Sequence, residues 1–208
     1  MKYPEYGHEL LRMAEEDQYD ARNMSRIMNA MTTEAELQEY RQEIADKFHE
    51  RSKRMLEILK EIGVPTFENI GREAAETVSL FALHSYIDEI KKVLAIYEEQ
   101  FKIDPNSFYK EAIPPLVDRI MIAEQRRQKF GTNWSIAKDG KWFLIPVEDF
   151  DNVNDLRVEY GLHPIRKPRC LSVGAAEWPL GQGPAEPSDQ KELTDSEYAE
   201  YIKYIFRK

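Results

Sequence analysis

A capping box at Thr33-Glu34-Ala35-Glu36 and a stop at Gly63 with Pro65 bracket a long segment and leave it one structure to adopt. Thr33 is placed to accept from the first turn of a helix while Glu36 reaches back to its start. Gly63 suits the residue just past a helix end, and Pro65 does not continue one. Between them, Leu37, Ile44, Phe48, Met55, Leu59 and Ile62 fall close to one helical stripe. The residues before the box, His8 to about Met31, are rich in Leu, Met, Glu and Arg and lack glycine and proline. They predict a second helix, and the pair an antiparallel hairpin.

The rest of the chain follows the same punctuation at first. After Gly71, the residues Leu83, Ile87, Ile90, Leu94, Tyr97 and Phe101 step by 4, 3, 4, 3 and 4, the period of an amphipathic helix. Asp104-Pro105 reads as a cap with a first-turn proline. Pro114-Pro115 divides the next segment into a short helix and a fresh one from about Leu116 to Phe130. Then the pattern changes: Lys138-Asp139-Gly140 separates two runs of aromatic and β-branched residues, which predicts a β-hairpin near 132–146. Asn152 to Tyr160 reads as a short helix closed by Gly161. A Pro/Gly-rich extension occupies 164–193, and a second capping box at Thr194–Glu197 starts a C-terminal helix over 194–208. That helix is too short to stand alone and is expected to dock. The expectation is a mainly α protein, one helical domain over 1–163 with one small β-hairpin and a tail.

Composition excludes several classes of function. Of 208 residues, 29 are Lys or Arg and 38 Asp or Glu, a formal charge of −9. A general nucleic-acid binder needs the opposite balance. The single cysteine, Cys170, allows no intramolecular disulfide and no multi-thiolate zinc cluster. The start lacks the apolar stretch of a signal peptide. The most apolar window, Val78 to Ile87, contains His84 and is far shorter than the ~20 residues of a membrane helix. A soluble cytoplasmic protein that binds neither membranes nor nucleic acid is therefore expected.

A few polar residues stand out as candidates for chemistry. His84, read as helical, has Leu80, Phe81 and Ile87 among its one-turn neighbours, so its ring is expected half-buried, with Asp88 or another acid orienting it. It is either a satisfied core histidine or a general base. A metal site there would need a further ligand such as His49 or Asp118. Asp118 lies on a helix that is apolar almost all round, sharing its face with Gln125. A buried carboxylate needs partners, from the protein (Arg22 or His84) or from a ligand. Arg119 points away from it. Gln128, Thr132 and Asn133 border Gly131, which is well placed as a left-handed residue after the helix. The run Glu15-Glu16-Asp17 with Asp20 and Arg22 reads as a solvated helix face. No Gly-rich phosphate loop, nucleophile elbow or His-Glu-x-x-His motif is present, and nothing names a cofactor.

The order Asp17-Gln18, Arg22, Gly63-x-Pro65, Gly71, His84, Asp118-Arg119, Gln128-x-Phe130-Gly131-Thr132-Asn133, Pro146, Arg157 and Gly161-Leu162 resembles a bacterial family known as a domain of unknown function. Its signature is a Gln-His pair, an Asp-Arg pair and a Gln-x-Tyr-Gly-Thr-Gln segment. Here Leu83 precedes the histidine, Phe130 replaces the Tyr and Asn133 the last Gln, and the likeness spans roughly residues 10–165. It implies a mostly helical fold and no particular reaction, and it draws attention to His84, Asp118, Arg119 and Gln128.

Two functions follow as expectations. The first is a pocket between the His84 and Asp118 helices, closed by the Gly131 turn and the hairpin. It would take a small polar or anionic ligand, with His84 or Asp118 as acid or base and Arg119, Gln125, Gln128, Thr132 and Arg22 as binding groups. The second is a protein partner: an inhibitor or immunity-type module with no catalysis, using its acidic helices, eleven tyrosines and dockable C-terminal helix.

Overall fold

The computed structural model describes residues 1–136 and 142–165. The fold is mainly helical, and the chain divides into two compact units, Met1–Leu116 and Val117–Lys208. That boundary falls inside the stretch expected to form one domain. The Asp139-Gly140 turn, the Pro/Gly-rich extension beyond 165 and the C-terminal helix lie outside the described residues.

The first unit opens with α1 (Pro4–Ala30) and α2 (Glu34–Ile62). The capping box between them forms as the sequence dictates: the Glu36 amide donates to the Thr33 hydroxyl, and the Thr33 amide donates to the Glu36 carboxylate. Gly63 caps the far end of α2, its N–H reaching Leu59 O. The two helices run antiparallel. Tyr6 pairs with Glu61, Glu9 with Arg54, and Asp20 with Arg51, so partners on α2 descend as α1 ascends. Gly7 is required at its position, because a Cβ there would lie 2.5 Å from the Ile70 carbonyl oxygen of α3 (Phe67–Ile70). Leu10, Met13, Met55, Ile58, Val78, Phe81, Ile90 and Val93 build the core, all 5% exposed or less.

The long series from Leu83 to Phe101 is not one helix. α4 (Arg72–Leu83) stops at His84, and α5 (Ile87–Ile103) begins after Tyr86. Hydroxyls of Ser52 and Ser85 both reach the Phe81 carbonyl, 2.9 and 2.8 Å away, and the Glu89 carboxylate accepts from the Tyr86 amide. Side chains thus replace helical backbone bonds at the break. Asp104-Pro105 starts a turn, not a helix: the Asp104 carboxylate accepts from the Asn106 amide.

A single 3-10 turn (Lys110–Ala112) leads into α6 (Ile113–Ala123), which carries the chain across the unit boundary. Pro114 and Pro115 lie in its first turn, where a missing N–H is tolerated, so they start the helix instead of dividing it. It ends seven residues before the expected Phe130. The Arg126 amide bonds to Met121 O at 2.8 Å and the Gln125 amide to Ile122 O at 3.0 Å, with Gln125 at φ 60°. This is a Schellman cap with glutamine where glycine is usual. Replacing Gln125 with Gly should stabilise the protein by about 1 kcal/mol, since a side chain in the left-handed region costs roughly that much. A rise in the urea midpoint at unchanged m-value checks it.

In the second unit, β1 (Trp134–Ile136) pairs antiparallel with β2 (Trp142–Leu144), Trp134 opposite Leu144. α7 (Val153–Glu159) follows, and Gly161 stands just beyond it at φ 79°. Leu144, Val147 and Val153 form a small core flanked by Trp134, Phe150 and Ile165.

Candidate functional site

On α1 the apolar positions Leu10, Met13 and Ala14 face inward, and the next residue of that stripe is Asp17. Its side chain is therefore not on the solvated face predicted for it: Asp17 is 0% exposed. A carboxylate in that position needs compensation, and two other helices bring it, one with a hydrogen bond and one with an ion pair. From the end of α4 comes His84, whose Nδ1 lies 3.2 Å from Asp17 Oδ1 and 3.0 Å from Oδ2. From α2 comes Arg51, with Nη1 3.7 Å from Asp17 Oδ1 and Nη2 bonded to Asp20. The Phe48 ring lies against the imidazole, centroids 4.4 Å apart and planes 32° from parallel.

The geometry sets the state of the imidazole. A carboxylate only accepts, so Nδ1 carries the proton of the bond to Asp17. Nε2 makes no hydrogen bond among the described residues, and the His84 side chain retains 27% of its surface. An oriented imidazole with a buried acid behind it and an open nitrogen in front is equipped to accept a hydrogen bond or a proton. Asp88, the acid one turn on in sequence, is exposed and takes no part, because the helix breaks at His84.

The second polar cluster belongs to the second unit. Asp118 is 0% exposed. Its Oδ1 accepts from the amides of Lys129 and Phe130 at 2.7 and 2.8 Å, and its Oδ2 from the amide and hydroxyl of Thr132 at 2.9 and 2.7 Å. Burial pushes the Asp118 carboxyl up, against the downward pull of these four bonds. Gln128 is equally engaged: its Nε2 donates to the carbonyls of Asn133 and Ile145, and its Oε1 accepts from the Asn133 amide. Arg157 completes the loop from behind, Nη1 donating to Phe130 O at 2.7 Å and Nε to His163 O at 2.7 Å. Burial lowers its guanidinium pKa while the Asp118 charge opposes that. Gly131 sits at φ 69°, with Ile165 Cδ1 2.6 Å from where a Cβ would be.

The predicted residues thus fall into three groups. His84 belongs to the first unit, together with Asp17, Asp20 and Arg51. Asp118, Gln128 and Thr132 come together in the second unit, where the protein's own backbone supplies the donors expected from Arg22, His84 or a ligand. Arg119, Gln125 and Arg22 are exposed. Gln125 lies beyond the end of α6 and so does not share a helix face with Asp118, and Arg22 Nε donates to Gln18 O within its own helix. Arg51 was not singled out from sequence, and nothing in its neighbours marks it. Asp17 carried a readable signal, an acid in register with Leu10, Met13 and Ala14.

Among the described residues no group of three or more His, Cys, Asp or Glu side chains converges as metal ligands, and no helix is long and apolar enough to cross a membrane. Comparison of the chain with protein-family models, curated proteins and solved structures finds no match.

Proposed function

We propose that the first unit binds a small polar ligand at His84, with Asp17 fixing the ring and Nε2 making the contact. One observation carries this: a fully buried carboxylate holds Nδ1, while Nε2 of a part-exposed ring has no partner among the described residues. Arg51 and Asp20 are positioning residues, since they hold Asp17 and its helix in place. A ligand with an acidic proton at Nε2 would find a general base there, in the manner of any carboxylate-oriented imidazole. Asp118, Gln128, Thr132 and Arg157 serve the loop over 128–133.

The test separates the two ring nitrogens. In His84→Asn the amide nitrogen takes the place of Nδ1 and keeps the bond to Asp17, while the atom corresponding to Nε2 is gone. The variant should keep the bond to Asp17 and lose only the ring's packing on Phe48, about 1 kcal/mol of urea stability. In a thermal-shift screen of small polar metabolites, compounds that raise the wild-type melting temperature should leave His84→Asn unmoved. If every stabilising compound acts equally on both proteins, the ligand does not bind at Nε2. Co-purification of a protein partner dependent on residues 165–208 would favour an interaction module instead.

A further inference from the structure

A groove of about 470 Å³ runs between α2 and α5 in the first unit, separate from the His84 contacts. Its floor is apolar, formed by Leu56, Leu59 and Ile96, and its rim carries Lys53, Lys60 and Lys92. The helical period dictates this grouping: on α2, residues 53, 56 and 60 step by three and four, and on α5, residues 92 and 96 step by four.

The rim of the groove is charged. Several cations of this unit, Lys2, Arg12, Lys47, Arg54 and Arg72, pair with a carboxylate. Lys53, Lys60 and Lys92 have no ion-pair partner among the described residues. The two acids at the groove are already engaged: Glu57 with Arg54 at 3.3 Å, and Glu89 with the Tyr86 amide at 3.3 Å and His49 at 3.7 Å. In a chain of net charge −9, Lys53, Lys60 and Lys92 outnumber Glu57 and Glu89 around the apolar floor and leave a local excess of positive charge. Lys53 and Lys60 stand two helical turns apart, about 10 Å along the groove.

We propose that this groove binds an elongated amphiphilic dianion, an apolar segment with a carboxylate or phosphate near each end. The apolar segment covers Leu56 and Ile96, and the terminal charges meet Lys53 and Lys60, with Lys92 opposite. Such a site combines a mostly apolar wall with a few placed charges, the usual constitution of a small-molecule pocket.

Decanedioate is the probe, with 1,10-decanediol as its uncharged counterpart and the full chain as the protein. Titration followed by amide chemical shifts should give saturable changes confined to residues 49–60 and 89–96. The double variant Lys53→Gln/Lys60→Gln should keep the wild-type spectrum elsewhere and bind the dianion at least roughly tenfold more weakly. The diol should bind more weakly than the dianion. Absence of saturable shifts, shifts scattered over the surface, equal binding of diol and dianion, or an unchanged affinity in the double variant would each overturn the proposal. The outcome is independent of what binds at His84.

Discussion

Asp118→Ala should destabilise the second unit by about 3–5 kcal/mol, since each buried donor left unsatisfied costs about 1–3 kcal/mol. The carboxylate accepts three backbone amides and one hydroxyl, all at 2.9 Å or less, and these donors have no second acceptor among the described residues. Charge-assisted bonds contribute about 1.5–3 kcal/mol each, but they share one group and do not add independently. Asp118→Asn should cost less, since the amide keeps one oxygen, but its NH2 faces N–H donors in place of the second. Hydrogen exchange gives the local reading: the amides of Lys129, Phe130 and Thr132 should lose protection first. Wild-type protection at those amides in Asp118→Ala would show that the loop is held by Gln128 and Arg157 without the acid.

The second large effect is expected at Asp17. Asp17→Ala removes the carboxylate hydrogen-bonded to His84 and one of the two on Arg51 among the described residues, and leaves a small cavity on the buried face of α1. A loss of about 2–4 kcal/mol is expected in urea denaturation, from the lost hydrogen bond to His84, the lost ion pair to the largely buried Arg51 and the lost packing. Arg51 keeps Asp20, so the loss should stay below that of a fully stranded buried charge. Asp17→Asn should retain part of the stability, because its side-chain oxygen still accepts from His84 Nδ1. A change of less than about 0.5 kcal/mol in Asp17→Ala would mean that the buried acid is not an organising group.

Those two acids show what can and cannot be read from sequence. The caps of α2 were legible because Thr33, Glu36 and Gly63 act on the backbone within one turn of themselves. The break at His84 was not, because the apolar steps continue undisturbed across it and the hydroxyl of Ser52 comes from a different helix. Asp118 could be placed in a buried face, since α6 is apolar almost all round, but its partners are main-chain amides, which every residue carries and no sequence advertises. The premature end of α6 hid for a related reason: Gln125 does the work of a glycine at φ 60°. Asp17 was visible in principle as the polar member of an apolar stripe, yet the neighbouring Glu15 and Glu16 made the run look solvated. Its bond to His84 joins residues 67 positions apart, beyond the reach of any local pattern.

The most direct test of the His84 site is the ring itself. Long-range proton–nitrogen correlation on 15N-histidine protein, at a pH where the ring is neutral, reports which nitrogen holds the proton. Held by Asp17, His84 should carry it on Nδ1 and show Nε2 as a bare acceptor, and Asp17→Ala should release the ring toward the opposite tautomer. A wild-type spectrum with the proton on Nε2, unchanged in Asp17→Ala, would contradict both the buried pairing and the open nitrogen on which the proposed function rests.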